Sequence, residues 1–170
     1  TKFLPSEYAG AIKYVDVDGR IKLAIRDQIS DYIPNPTFAK VAVPGSFGGT
    51  AANRGQGGVG SQTGIKPKAM PSLDAFFDPE PRLALMKDLG IGRTVLWPTL
   101  VSVLEERVAD DPDVAVAVIH AFNQWMHEHW SYAYSDAIFP TPIISLTAGV
   151  DTALKELEYV YERGAKIFLM

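Results

Sequence analysis

The chain has 170 residues, 47% of them hydrophobic, and a formal net charge of −4. That is enough apolar material for one domain with a core, and it excludes disorder as the default state. Lys and Arg do not cluster, so the electrostatic footprint of a nucleic-acid binder is absent, and no apolar run approaches the roughly 20 residues of a membrane span. With no cysteine there are no disulfides or thiolate metal sites, which makes a reducing cytoplasm the expected home.

In chain order, AIKYVDVDGRIKLAI (Ala11 to Ile25) holds two runs of β-type residues around Asp18-Gly19, a two-residue hairpin signal. The letters Asp16-x-Asp18-Gly19 also occur in calcium loops, but no helix flanks them and no bidentate Glu follows at the required distance. DYIPNPTFAKVAVPG (Asp31 to Gly45) carries three prolines and reads as an extended arm. The glycine-rich stretch from Gly45 to Gly64 contains GQGGVG (Gly55 to Gly60), which fits the G-x-G-x-x-G spacing of dinucleotide-binding loops. That fingerprint works only between a strand and a helix N-terminus. Neither flanks it, and Pro67 and Pro71 deny a helix downstream, so the stretch reads as a long loop, a lid or a disordered segment.

From about residue 72 the texture becomes α/β alternation. Asp78-Pro79 starts a helix with Leu83, Leu85, Met86 and Leu89 on its apolar side and Gly90 as its stop. RTVLWPT (Arg93 to Thr99) is a short buried strand ended by proline. Asp111-Pro112 repeats the cap signal before a long helix whose stripe is Val114, Val118, Ala121, Phe122, Trp125 and His129. PIISLT (Pro142 to Thr147) is the next strand, Asp151 caps a helix with Leu154, Leu157, Val160 and Tyr161 inward, and AKIFLM is a third buried strand. Parallel strands joined by helices place their sites at the carboxyl ends, here Trp97, Pro98 and Thr99, then Ser145 and Thr147, then Met170. Three strands are too few to close a barrel, which takes about 250 residues. The predicted fold class is therefore α/β: a partial (β/α) TIM-type barrel over 72–170, preceded over 1–71 by a hairpin and a long glycine-rich loop forming an excursion over the barrel mouth, in one domain overall.

His127-Glu128-His129 resembles a metal-binding His-x-His pair, yet on a helix residues i and i+2 point about 200° apart, so the pair cannot chelate one ion there. His120 reads as a half-exposed helix histidine with no evident catalytic partner. Glu105, Glu106, Asp110, Asp111, Glu156, Glu158 and Glu162 lie on helices or caps and read as solvated faces. Trp125, Trp130, Tyr132 and Tyr134 read as helix-to-barrel packing. No complete catalytic set is visible: there is no G-x-S-x-G elbow and no cysteine nucleophile.

Taken together, YIPNPTF and VAVPG (Tyr32 to Gly45), PRLALMKDLGIGRTVLWPT (Pro81 to Thr99), AFNQW (Ala121 to Trp125) and ELEYVYERGAKIFLM at the end resemble the amidohydrolase-related family, in the branch similar to aminocarboxymuconate-semialdehyde decarboxylase. The resemblance implies a metal-dependent (β/α) barrel, usually with zinc, that hydrolyses amide-like bonds or decarboxylates a small organic acid. Its ligands are a His-x-His or similar pair ending the first strand, histidines on middle strands and an aspartate ending the last. By the match this chain starts just after the first strand and stops near the fourth, in keeping with its opening at Thr1 and its apolar close, KIFLM. All those ligands then fall outside Thr1 to Met170, and no metal is expected to bind this segment alone. The site residues implied are substrate-pocket positions only: Trp97, Pro98, Thr99, Ser145 and Thr147. The partners expected are a small-molecule substrate and a second copy of the chain, with no nucleic acid or membrane. The alternative is a non-catalytic remnant or self-associating binding module of the same fold.

Overall fold

The structure, a computed structural model, describes residues 2–30, 36–43 and 69–170, without the side chains of 99, 100 and 102. The arm motif YIPNPTF is described only in part, and the GQGGVG spacing lies outside the described residues. Among these residues no helix is long and apolar enough to cross a membrane. Contacts divide the chain into two compact units, Thr1–Pro34 with Asp74–Met170, and Asn35–Leu73. The hairpin thus belongs with the α/β part, although the sequence groups it with the loop that follows.

In the smaller unit, β4 (Lys40–Ala42) pairs antiparallel with β5 (Ala69–Pro71). The Ser72 backbone N–H donates to the Ala39 carbonyl, and the Ser72 hydroxyl bonds the Phe38 carbonyl.

In the larger unit, β1 (Ile12–Val17) and β2 (Arg20–Ile25) form the expected hairpin. Asp18 and Gly19 both have positive φ, 54° and 74°, as a type I′ turn requires. The Asp16 carboxylate accepts from the Gly19 N–H at 2.9 Å, so it serves the turn. A short β3 (Gln28–Ile29) then folds back on β2 through Arg26 and Asp27, both at positive φ without a glycine. One end of β2 is apolar, and Leu23 and Ile25 are buried in the main core.

Four α-helices follow among the described residues. In α1 (Pro79–Asp88), Asp78 caps by accepting from the Glu80 N–H, Pro79 occupies the first turn, and Gly90 at φ 70° ends it. α2 (Thr99–Arg107) begins after Pro98 without a side-chain cap. α3 (Pro112–Trp130) is capped by Asp111, whose carboxylate accepts from the Val114 N–H at 3.3 Å. α4 (Val150–Glu162) starts after Gly149, not at the predicted Asp151 cap, and stops at Gly164, φ 89°.

Three predicted faces need correction: on α1 only Met86 is buried, and Leu89 is exposed. On α3 the buried side is Val114, Ala115, Val118, Ile119, Asn123, Met126 and Trp130, while Trp125 and His129 are exposed. On α4 the inward residues are Ala153 and Val160, with Glu156 and Leu157 half-buried, whereas Leu154 and Tyr161 are exposed.

Three parallel segments form the sheet. β6 (Thr94–Leu96) pairs with β7 (Ile138–Pro140), with Leu96 level with Pro140. The second predicted strand therefore begins four residues earlier than Pro142. Past β7 the chain stays in line, and Ile143 bridges Leu169 in parallel. Odd residues of the central segment face β6, since the Thr94 N–H reaches the Ala137 carbonyl and the Thr141 N–H reaches the Leu96 carbonyl. Even residues face the other edge: the Leu169 N–H donates to Pro142 and the Ile144 N–H donates to Leu169. On that edge Pro140 and Pro142 have no N–H to give. The third segment is consequently a bridge, not a buried strand, and Ile167, Phe168 and Met170 are exposed. The described residues form this open, staggered sheet and no closed barrel.

The main core gathers Leu23 and Ile25 of the hairpin, Val101, Leu104 and Val108 around α2, Val118 and Ile119 of α3, and Ile143 of the sheet. A second cluster joins Met126, Tyr132, Ile144, Ala153 and Val160, and a third joins Met86, Trp130, Ala137 and Ile138. α3 touches all three and is the central helix.

Candidate functional site

In a parallel sheet covered by helices, side chains that meet a substrate sit where the strands end. β6 ends at Trp97 and Pro98 because proline cannot extend the ladder. Trp97 is 60% exposed and Pro98 is buried. Thr99 is the first residue of α2, and its side chain lies outside the described residues. The central segment ends at Ser145, which is buried. Its hydroxyl lies 2.7 Å from the Thr147 hydroxyl and accepts from the Thr147 N–H at 3.2 Å. The sequence-predicted positions stand at two heights: Ser145 lies five residues past Pro140, the partner of Leu96. About 13 Å of extended chain separates its level from that of Trp97.

Chemically, this arrangement offers an exposed indole face and a pair of mutually bonded hydroxyls. Hydroxyls of this kind donate to and accept from a polar substrate, but no imidazole or carboxylate among the described residues activates them. No group of three or more His, Asp or Glu among the described residues is placed to hold a metal. The strand-end donors present are hydroxyls and an indole, which do not make a zinc ligand set. His127 and His129 lie in the last turn of α3, where His127 packs its ring on Tyr132 and His129 packs on Trp125.

Sequence reasoning missed the polar node behind these ends. The Asn123 side chain makes both bonds a neighbouring strand would make to Ile143: Nδ2 donates to its carbonyl at 2.8 Å and Oδ1 accepts from its N–H at 3.0 Å. Those groups lie on the β6 edge, one rung past the point where Trp97 and Pro98 turn away. Asn123 thus continues the ladder after β6 has left it. Its Nδ2 also donates to Glu156 Oε1 at 2.8 Å, and Glu156 Oε2 lies 2.7 Å from His120 Nδ1. His120 therefore has a partner, and Glu156 is a half-buried hub instead of part of a solvated face. The Tyr132 hydroxyl donates to the Asn123 backbone carbonyl at 2.8 Å, and burial pushes that phenol well above its ordinary pKa. The signal in the sequence was a lone amide, Asn123, inside an apolar helix.

A cavity of about 1010 Å³ is lined by other residues, including Arg26, Gln28, Glu106, Arg107 and Asp110. Its Arg26 guanidinium already pairs with Asp110 at 2.6 Å and Asp111 at 2.8 Å, which ties the hairpin to the turn between α2 and α3. We place the candidate site at the strand ends, where the topology converges.

The fold is similar to the crystal structure of an amidohydrolase from Mycobacterium avium subsp. paratuberculosis K-10. The two share 28% identity at a TM-score of 0.84, over 99% of this chain and 44% of that one. The chain has an amidohydrolase-like fold and spans less than half the length of that protein. That likeness supports the amidohydrolase-like fold and not the decarboxylase branch to which the motifs point. No protein-family model matches the sequence, and no curated protein does.

Proposed function

We propose that this chain is the sheet-and-helix portion, with its preceding hairpin and loop, of a metal-dependent amidohydrolase-like enzyme that acts on a small amide or organic acid. The observation that carries the reading is the likeness to an amidohydrolase along 99% of the chain. Hydrolysis is favoured over decarboxylation because the similar structure is that of an amidohydrolase. In the whole enzyme a divalent metal, zinc by the chemistry of such sites, would activate water or polarise a substrate carbonyl. On this reading the metal ligands lie elsewhere in the longer protein and the strand ends serve substrate binding: Trp97 offers an apolar face, and Ser145 with Thr147 offers hydrogen bonds at a wall fixed from behind by Asn123.

The test is a hydrolysis assay of the protein that carries this chain, with zinc, against a panel of small amides and carboxylic acids. Trp97→Ala and Ser145→Ala are expected to raise KM more than they lower kcat, because binding groups act on ground and transition states alike. Loss of kcat alone in Ser145→Ala would assign it a chemical role, and absence of hydrolysis across the panel would remove the reading.

A further inference from the structure

The strand end that carries Ser145 and Thr147 runs on into α4, and one side chain of α3 grips the chain on both sides of them. Before the two hydroxyls, Asn123 bonds the Ile143 carbonyl at 2.8 Å and its N–H at 3.0 Å; after them, it bonds Glu156 Oε1 at 2.8 Å. Asn123 is fully buried and the Glu156 side chain is 14% exposed, so the grip is shielded from water. Between Ser145 and Gly149 the backbone bonds among the described residues are local: the Thr147 N–H donates to the Ser145 hydroxyl and the Gly149 N–H to the Leu146 carbonyl. The stretch bearing both hydroxyls is therefore a loop closed at Asn123. The amide has one seat there. Its Nδ2 gives one hydrogen to Ile143 and the other to Glu156, and reversing it would set Oδ1 against two acceptors. A carboxylate only accepts, so His120 Nδ1, 2.7 Å from Glu156 Oε2, carries a hydrogen and donates it. The His120 ring is held in turn, edge-on to Tyr159 one turn further along α4, with centroids 4.7 Å apart.

We propose that Glu156 and His120 are positioning residues for substrate binding: His120 fixes the carboxylate, the carboxylate fixes the Asn123 amide, and the amide sets where the Ser145 and Thr147 hydroxyls stand. The proposal rests on the reading of this strand end as a substrate site. Both residues act through Asn123, since neither bonds Ser145 or Thr147 among the described residues. Bonds to an ionised carboxylate are stronger than neutral ones, which suits Glu156 to hold a loop end that β6 no longer pairs. All the members belong to α3, α4 and the central segment, which pack on one another in the main and second clusters.

The experiment combines hydrolysis kinetics with amide hydrogen exchange read by mass spectrometry, on the protein that carries this chain and on Glu156→Leu, Glu156→Gln and His120→Ala. Glu156→Leu is expected to raise KM more than about fivefold with kcat within about twofold. It is also expected to speed exchange over residues 143–147 more than about tenfold while α1 exchanges as in the parent. Glu156→Gln keeps an oxygen for Asn123 and an N–H for the other tautomer of His120, so it is expected to stay within about twofold of the parent in both readouts. His120→Ala should move both in the direction of Glu156→Leu, by less. Glu156→Gln as impaired as Glu156→Leu, exchange accelerated equally in α1, or an unmoved KM overturns the proposal. Hydrolysis present with an unmoved KM removes this proposal alone, whereas a parent that hydrolyses nothing removes the hydrolase reading and the substrate role with it.

Discussion

Replacing Asn123 by Ala should cost this chain about 3–5 kcal/mol. The substitution leaves the Ile143 N–H and C=O without partners, both groups belonging to a residue that is 1% exposed, and it takes from Glu156 the donor it now has at 2.8 Å. Leaving a buried donor or acceptor unsatisfied costs about 1–3 kcal/mol, so the two backbone groups alone account for most of the loss. Asn123→Leu, which fills the volume without satisfying either group, should cost nearly as much. A cavity explanation would instead make Leu close to neutral, so the pair separates polar satisfaction from packing. The assay is urea unfolding followed by circular dichroism at one fixed protein concentration, because association shifts apparent stability. Losses below about 1 kcal/mol for both variants would refute the assignment of Asn123 as the surrogate strand partner of Ile143.

Other expectations follow from the same contacts. Tyr132→Phe should lose about 1 kcal/mol near neutral pH by giving up its bond to the Asn123 carbonyl. The folded phenol is raised, so its stabilisation is fully present below the unfolded pKa of about 10 and is lost as pH rises through the folded value. Unfolding curves taken between neutral and strongly alkaline pH should therefore fall more steeply above pH 10 or so for the parent than for Tyr132→Phe. Asp111→Ala should destabilise by about 1–2 kcal/mol, because it removes both the α3 cap and an Arg26 partner, whereas Asp110→Ala removes only an ion pair of about 0–1 kcal/mol. Equal losses in thermal melts of the two would contradict this. Ile119→Ala should cost about 2–5 kcal/mol from the centre of the main core, while Leu154→Ala, exposed on α4, should change stability by less than about 0.5 kcal/mol.

What the sequence disclosed was what local chemistry encodes. Asp18-Gly19 announced its turn, Asp78-Pro79 and Asp111-Pro112 announced two helix starts, and Gly90 and Gly164 announced two stops. The β2–β3 turn was silent because Arg26 and Asp27 take positive φ in place of glycine. The phase of α3 was misread for a physical reason. In VAVAVIHAF apolar residues occupy nearly every position, so periodicity does not choose a face, and the helix indeed packs against three separate clusters. On α4, Leu154 and Tyr161 read as inward because they are apolar, and they are exposed because nothing among the described residues covers that side. Asn123, Glu156 and His120 were illegible as a set, since they meet only when two helices and a strand come together across more than 30 residues of chain. Trp97, Ser145 and Thr147 could be placed at strand ends by topology alone, but their difference in height depends on sheet stagger, which no local pattern carries.

The most direct measurement of the central claim is metal content by elemental analysis after dialysis, made on the 170-residue chain and on the longer protein that carries it. The chain alone is expected to retain no zinc, and the longer protein to hold about one metal or more, with hydrolysis that disappears on chelation and returns with metal. Stoichiometric zinc in the 170 residues alone, or a longer protein whose hydrolysis is indifferent to chelation, would contradict it.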